Sequence, residues 1–414
     1  AVDGHDFAGA AVAAGAVALL AERVPEGVEN VPLLLVPDTR RALGDVAAEV
    51  HGHPSRALRT VGITGTNGKT TTAQMLAAIL DAAGWRPGVV GTLHGVRTTP
   101  EATDLQRRLA QFVQQGHESA VLEVSSHALA LHRVDGTEFD VVVFTNLGHD
   151  HLDLHGSQEE YFRAKASLFD PRVAPVAVVN TDDPHGLLLA DTIESSDDTA
   201  DRPAMRVVRV GRADAEHVVV GARHLSFRWR GVDVEVAIGG RFNVDNALAA
   251  LTAAVELGLD PAEAAVGLTR LPRVPGRFEV VTTESGRPAP TVIVDYAHTP
   301  DGLRELLQTA RPLAGDHRLV VVFGCGGERD RAKRPEMGEV AVTLADLVVA
   351  TSDNPRHEDP ERILDDILDG VDARYGARVI RNADRRAAID AALTTTDPGD
   401  VVVIAGKGHE RTQD

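Results

Sequence analysis

One cysteine, Cys325, occurs in 414 residues. No intrachain disulfide is therefore available, and a reducing compartment such as the cytoplasm fits. Aromatic residues are scarce, at 4% of the sequence against 43% hydrophobic overall, so the cores must be built from Ala, Val and Leu, which suits layered α/β packing. Basic residues are outnumbered 42 to 61, for a net charge of −19. That balance argues against loose binding to nucleic acid or to an anionic membrane surface. It also means that an anionic substrate has to be met by locally concentrated Arg, Lys or metal. No apolar run approaches the roughly 20 residues of a membrane span, and no signal peptide is evident. The chain opens on Ala1 rather than Met, so earlier residues are expected in the natural protein.

What the sequence does contain is a phosphate-binding turn. Thr64-Gly65-Thr66-Asn67-Gly68-Lys69-Thr70-Thr71 follows an apolar run (Leu58, Val61, Ile63) and opens a helical pattern with Met75, Leu76, Ile79 and Leu80 on one face. Strand, glycine turn and helix N-terminus in that order make an anion site. Backbone N–H groups point into the turn, the helix dipole adds partial positive charge, and Lys69 supplies a full one. A hydroxyl of Thr70 or Thr71 is then placed to hold Mg²⁺ beside a phosphate. The string departs from the strict Walker pattern, because Ile63 stands where its first glycine would be. A plain glycine turn followed by an exposed lysine is the alternative; the strand–turn–helix context favours a nucleoside triphosphate site.

The length predicts two to four domains. Residues 1–58 read as a small N-terminal α/β domain, helical over 10–20 and 40–50 with a strand at 33–36. Residues 59–272 read as a central parallel-sheet domain of the P-loop ATPase type, with strands at 61–63, 121–124, 141–144 and 176–179 alternating with helical stretches. Within it, 194–202 is a charged solvent loop, 218–238 alternates as a small antiparallel sheet would, and 240–257 is an Ala/Leu-rich helix. Residues 273–414 read as a C-terminal Rossmann-like domain with strands at 292–294, 319–323, 347–350, 379–380 and 401–404. A helix at 360–368 is started by Asp359 and Pro360, an N-cap and a first-turn proline. The fold class is α/β in three domains, with ligands expected beyond the C-terminal ends of the strands.

Several polar residues fall at those ends. Glu123 closes a strand beside the phosphate loop; it is either a buried, paired carboxylate or a metal ligand. The next strand runs into Asn146-Leu147-Gly148-His149-Asp150-His151-Leu152-Asp153, where His and Asp density fits metal ligation or a polar loop equally. Its spacing matches no structural zinc site, and thiols are lacking. Taken alone, Lys165 reads as a surface helix lysine, Asn243 and Asn246 as caps of a helix start, Arg277 as a loop cation, and Asp353-Asn354-Pro355-Arg356 as a capped polar turn. Cys325-Gly326-Gly327-Glu328-Arg329 with Lys333 and Arg334 is a weak nucleic-acid patch, since its charge is mixed and aromatics are absent.

Together the strings GTNGKTT, TTPE, LEVSSHAL, FTNLGHDHLD, YFRAKASLF, GRFNVDNALAA, PGRFE, VDYAHTP, GCGGERDRAKRP, DNPRHEDP and AGKGHE occur in the order found in the Mur ligase family, and the chain resembles that family from Asp3 to Glu410. The resemblance implies an ATP-dependent amide ligase. ATP phosphorylates a substrate carboxylate, an amine attacks the acyl phosphate, and phosphate leaves; positioning and charge neutralisation are what such chemistry needs from a protein. It further implies that Gly65, Thr66, Asn67, Gly68, Lys69, Thr70 and Thr71 hold the ATP phosphates. Asn146, Asn243, Asn246, Arg277 and Asp295 would also contact the nucleotide, Arg277 at its phosphates and Asp295 at the ribose. Two Mg²⁺ ions are implied, on Thr70, Glu123, His151 and a Lys165 carbamylated to N6-carboxylysine; Lys69, Glu123, His151 and Lys165 form the catalytic set.

Thr98, Thr99, Pro100, Ser125 and Arg133 correspond to contacts with UDP-N-acetylmuramoyl-L-Ala-D-Glu. One departure is Leu131, where some relatives carry Gln, which puts one polar substrate contact in doubt. Arg329, Asp353, Asn354, Arg356, Gly406 and Glu410 correspond to the pocket for the incoming amino acid. The string DNPR implies meso-2,6-diaminopimelate, whose distal carboxylate Arg356 would grip as a fork. The whole implies a cytoplasmic, monomeric enzyme of peptidoglycan precursor synthesis, with no nucleic-acid or membrane partner. The chain ends at Asp414, just after AGKGHE, so a further terminal segment is expected. An L-lysine-adding relative or a folylpolyglutamate-synthetase-like ligase is the alternative, and a non-catalytic nucleotide-binding scaffold a remote one.

Overall fold

The computed structural model describes residues 3–28, 30–150, 155–195, 204–281, 289–371 and 378–414. The first unit is small. A short helix, Ala8–Ala13, leads to strand β1 (Leu19–Ala21), which pairs in parallel with β2 (Leu33–Leu35). The helix expected over 10–20 is thus much shorter. Gly15 takes a left-handed conformation (φ 100°) that releases the chain from the helix, and Leu19 and Leu20 pair with Leu33 and Leu34 instead. The helix Thr39–Val50 forms close to expectation, capped by Asp38, whose carboxylate accepts from the N–H groups of Arg40 and Arg41.

The second unit is a six-stranded, all-parallel sheet: β3 (Arg59–Thr64), β4 (Pro87–Val90), β5 (Ser119–Glu123), β6 (Val141–Phe144), β7 (Val176–Asn180) and β8 (Arg206–Val210), in the order β4-β5-β3-β6-β7-β8. The expected strands are all present; β4 and β8 are additions. Neither has a plain apolar signature, since β4 opens on Pro87-Gly88 and β8 carries Arg206 and Arg209 at the sheet's edge. Glu194 ends the helix Pro184–Glu194 rather than opening a loop; residues 196–202 of that expected loop lie outside the described residues. β9 (Glu216–Val220), β10 (Leu225–Trp229) and β11 (Val232–Val236) make the anticipated small antiparallel sheet.

The helix Lys69–Ala82 anchors the phosphate turn in the core. Met75, Leu76, Ile79 and Leu80 are fully buried on it, packed with the equally apolar helix Phe242–Glu256, which buries Leu248 and Leu251. The helix Pro261–Thr269 then crosses so closely that a Cβ on Gly267 would lie 2.4 Å from the Ile79 Cα.

The third unit is a second six-stranded sheet: β12 (Glu279–Val281), β13 (Thr291–Val294), β14 (Leu319–Phe323), β15 (Leu347–Ala350), β16 (Arg378–Arg381) and β17 (Val401–Ile404), ordered β12-β13-β17-β14-β15-β16. All pairings are parallel except β12 with β13. β12 was not anticipated, because three residues after a Pro-Gly turn carry too little periodicity to read. β17, last in sequence, inserts beside β13 and β14 and so brings the loop at 405–410 into the middle of the sheet. Among the described residues no helix is long and apolar enough to cross a membrane. Gly267→Ala should cost about 1–3 kcal/mol by overpacking against the phosphate-loop helix, read as a lower denaturation midpoint for the second unit.

Candidate nucleotide and amino-acid sites

The phosphate turn leaves the C-terminal end of β3 at the point where neighbouring strands depart to either side, the usual ligand position of a doubly wound sheet. Ile63 remains within the strand, so the loop is shorter than a Walker turn. Gly68 (φ 87°) starts the helix, and a Cβ there would lie 2.3 Å from Asn246 Oδ1; at Gly65 it would lie 1.9 Å from Thr145 Oγ1. Only glycine fits either place. Asn146 locks the turn from β6: its Oδ1 accepts from Asn67 N–H (2.9 Å) and its Nδ2 donates to Asn67 O (3.2 Å). Thr66 N–H donates to Asn146 O, and Thr66 Oγ1 lies 3.0 Å from the Tyr161 hydroxyl.

Lys69 folds back to donate to Gly65 O (2.8 Å) and Thr66 O (2.9 Å), and burial holds its pKa below the usual lysine value. Lys165, read from sequence as a surface lysine, is instead only 1% exposed. It lies on the inward face of the helix Gln158–Ala166 and donates to the same Gly65 carbonyl at 2.8 Å, with its ammonium 4.5 Å from the Tyr161 ring centroid. Burial, and then the neighbouring Lys69 charge, push its pKa far below the ordinary value.

Glu123 is fully buried at the end of β5. Its Oε2 accepts from Thr70 Oγ1 (2.8 Å) and Thr92 Oγ1 (3.0 Å), and its Oε1 from Thr92 N–H (2.9 Å). Glu123 is thus the buried, hydrogen-bonded carboxylate of the first reading, and its bond to Thr70 sets it beside the phosphate turn. Among the described residues no cluster of three or more His, Cys, Asp or Glu stands ready to hold a metal, and His151 lies outside the described residues. Asp150, beside it in sequence, is buried in the cleft, 3.7 Å from His298 Nε2 of the third unit.

Thr98 meets Thr92 hydroxyl to hydroxyl at 3.0 Å. Thr99 donates to Glu123 O (2.8 Å) and accepts from Ser125 N–H (3.1 Å), and Ser125 caps the helix Ser126–Ala130 through Ala128 N–H. Arg133 reaches Thr99 O (3.3 Å) and pairs with Glu101 (2.8 Å). Pro100 lines a separate cavity of about 380 Å³ with His94 and Arg108.

Asn243 and Asn246 do not cap their helix, whose N-cap, Arg241, makes no side-chain bond. Both are buried inside: Asn243 Nδ2 donates to Gly239 O (2.6 Å), Asn246 Nδ2 to Asn243 Oδ1 (2.9 Å), and Asn246 Oδ1 accepts from Thr72 Oγ1 (3.2 Å). Nor is Arg277 a simple loop cation. It stacks over Tyr296 (4.6 Å to the ring centroid) and donates to Thr70 Oγ1 (3.1 Å), crossing from the third unit to the second. Its Nε is buried without a hydrogen-bond partner among the described residues. Asp295 accepts from the N–H groups of Phe278 and Ala297 (2.7 Å each), while burial raises its pKa. Arg277, Asp295, Asn246, Glu123 and the phosphate turn line one cavity of about 590 Å³.

Beyond the C-terminal ends of β14, β15 and β17 lies a second constellation. A Cβ on Gly326 would lie 3.2 Å from an Arg356 guanidinium nitrogen and 3.7 Å from the aliphatic Cγ of Arg329, so both side chains pack against that glycine. Opposite, Asn354 Nδ2 donates to Glu410 Oε2 (2.8 Å), and Lys407 Nζ donates to that same oxygen (3.0 Å) and to Asn354 Oδ1 (2.7 Å). Burial raises the Glu410 pKa, but the bonds from Lys407 and Asn354 outweigh it and the net shift is downward. Asp353 Oδ2 is buried with no hydrogen-bond partner among the described residues, against Gly406 (φ 108°), where a Cβ would approach it to 2.6 Å. Tyr296 joins the two sites: it lines the large cavity, and its hydroxyl lies 3.4 Å from Glu410 Oε1. The loops behind them touch directly, a Cβ on Gly276 falling 2.2 Å from His409 N.

Sequence reasoning missed Thr92, Tyr161, Tyr296, Lys407 and Arg385. Thr92 follows the unread strand β4. Arg385 holds the carbonyls of Ser352 (3.1 Å) and Ala405 (2.9 Å), at the ends of β15 and β17, from a helix with no motif of its own.

A phosphate turn in one parallel sheet, completed by an arginine and an aspartate from a second, defines a nucleotide-using enzyme assembled between domains. Residues 63–254 match the Mur ligase middle domain, and residues 276–408 match the Mur ligase glutamate ligase domain. The chain belongs to the Mur ligase family. It is 44% identical over 429 residues (99% of this chain, 86% of the relative) to the UDP-N-acetylmuramoyl-L-alanyl-D-glutamate–2,6-diaminopimelate ligase of Syntrophomonas wolfei. Identity to the protein of the same name from Gloeobacter violaceus is 45%, covering 100% of this chain and 85% of the relative. A solved structure of a ligase of that name superposes with a TM-score of 0.67 at 36% identity, over 99% of this chain and 85% of the other. A Mycobacterium tuberculosis folylpolyglutamate synthase complexed with ADP and AMPPCP shares the fold, at TM-score 0.68 and 22% identity over 89% of this chain and 92% of its own.

Lys69→Met should weaken binding of a non-hydrolysable ATP analogue by at least about tenfold, or 1.4 kcal/mol, measured by calorimetry; unchanged affinity would remove Lys69 from the phosphate site.

Proposed function

We propose that this protein uses ATP to join meso-2,6-diaminopimelate to the D-glutamyl γ-carboxylate of UDP-N-acetylmuramoyl-L-Ala-D-Glu, in the cytoplasmic synthesis of peptidoglycan precursors. The observation that carries this reading is the paired site: a phosphate turn reached by Arg277, and beside it, through Tyr296, the Glu410 carboxylate bound by Asn354 and Lys407, with the Arg356 guanidinium nearby at Gly326. Such a pocket suits an amino acid whose far end bears both a carboxylate and an ammonium. A relative taking L-lysine would have no group for Arg356 to grip.

In the proposed reaction a carboxylate oxygen attacks the γ-phosphorus of ATP, the bond to the β-phosphate oxygen breaks, and ADP leaves. The amine then attacks the acyl carbon, a tetrahedral intermediate forms, and inorganic phosphate departs. Lys69, the turn's backbone N–H groups and Arg277 orient the transferring phosphoryl group and meet its charge. Thr70 and Glu123, with His151 by family resemblance, would hold Mg²⁺, which supplies charge neutralisation at the phosphates. Asn243, Asn246 and Asp295 are assigned to the nucleotide, and Thr98, Thr99, Ser125 and Arg133 to the muramoyl dipeptide.

Lys165 is assigned as N6-carboxylysine, the product of its amine with CO₂, and as a ligand of a second Mg²⁺. Its burial beside Lys69 supports this, because a desolvated amine next to a like charge is driven to the neutral form that CO₂ captures. The domains are assigned as 1–58 for the UDP end of the substrate, 59–272 for ATP and 273–414 for the amino acid, in a monomer.

Phosphate release with ATP and the muramoyl dipeptide, assayed with diaminopimelate, L-lysine or no amino acid, tests the assignment. Release confined to diaminopimelate is expected; release without it, or none with it, overturns the reading. Arg356→Lys should raise the KM for diaminopimelate by about tenfold or more through loss of the bidentate fork. Lys165→Ala should abolish turnover, with no rescue by bicarbonate; full activity would refute its role.

A further inference from the structure

Lys407 belongs to none of the roles assigned above, yet only 9% of it is exposed and its ammonium bridges Asn354 and Glu410, two residues assigned to the amino acid. It donates to Asn354 Oδ1 at 2.7 Å and to Glu410 Oε2 at 3.0 Å. Asn354 Nδ2 donates to that same carboxylate oxygen at 2.8 Å. Glu410 Oε2 therefore carries two donors, one of them a full positive charge, while among the described residues Oε1 has only the long contact from Tyr296. The acid that would greet an incoming ammonium is already neutralised from within the protein.

We infer that Lys407 is a specificity-determining residue, which sets the pocket against amino acids that present a bare ammonium at their far end. The inference rests on the diaminopimelate reading. With Glu410 compensated by Lys407, a lone ammonium gains little there and meets the repulsion of Lys407 and Arg356. An end group carrying a carboxylate as well recovers that cost at Arg356. Discrimination then comes as much from the repulsive element as from the attractive fork. Removing the Lys407 charge leaves Glu410 with neutral donors only, Asn354 and Tyr296, and turns this end of the pocket into a seat for a cation.

Lys407→Met and Lys407→Arg would be compared with the parent protein by kcat/KM for diaminopimelate and for L-lysine at saturating ATP and muramoyl dipeptide. Lys407→Met should lower the ratio of diaminopimelate to L-lysine by about tenfold, mainly through a lower KM for L-lysine. Lys407→Arg should keep the ratio, and the KM for ATP should hold in both. If Lys407 only ties two loops together, Lys407→Met would raise both amino-acid KM values alike and leave the ratio unchanged, and the inference would fall. Should Lys407→Met not fold, Lys407→Gln, which keeps an amide donor for Asn354 without the charge, reads the same ratio. A parent protein that turns over no diaminopimelate would instead fail the functional reading on which this one stands.

Discussion

Two lysine ammonium groups, half-buried Lys69 and buried Lys165, donate to one carbonyl oxygen, that of Gly65, each at 2.8 Å. Like charges this close in a desolvated place are unfavourable unless an anion joins them or one gives up its proton. The rest of the cleft is built around that tension. Asn146 and Thr145 hold the turn that presents the carbonyl, Tyr161 lays its ring beside Lys165, and Glu123 stays buried with Thr70 and Thr92 as partners. Arg277 adds a cation from the neighbouring unit. With Lys165 neutral, Lys69 and Arg277 remain as positive charges beside the turn, in a chain whose net charge is −19, and an anion at the turn would meet them both.

Much of this was legible in the sequence, and the failures have physical causes. The phosphate turn could be read because strand, glycines and helix are contiguous, so local chemistry fixes the geometry. The strands β3, β5, β6, β14 and β15 are short apolar runs buried on both faces, and such runs announce themselves. β4, β8 and β12 do not, because edge strands tolerate Pro, Arg and half-exposed positions. Lys165 was misread for a deeper reason. Its helix has only two buried residues, Tyr161 and Lys165, and no periodicity can say that a lysine is the residue facing in. Asn243 and Asn246 resembled caps since asparagine near a helix start usually is one; here the tightness of Gly68 against Asn246 reserves them for the interior.

The amino-acid pocket divides along the same line. Its motif residues were visible as strings, but the way they oppose one another was not. Arg356 reaches the glycine turn only because Gly326 and Gly327 let two loops close on each other, and Glu410 meets Asn354 only because β17 inserts late, between β13 and β14. Arg385, binding the ends of β15 and β17, belongs to a helix that carries no signature. Residues whose job is to hold other residues have no spacing rule to betray them.

The contact of Gly276 with the backbone of Gly408 and His409 has a mechanical consequence. Arg277 follows Gly276, and Glu410 follows His409, so the group that reaches for phosphate and the group that faces the amine ride on loops in direct backbone contact. With no side chain between them to act as a cushion, displacement of one is transmitted to the other. Any coupling between occupancy of the two sites that this contact carries would have to run equally in both directions.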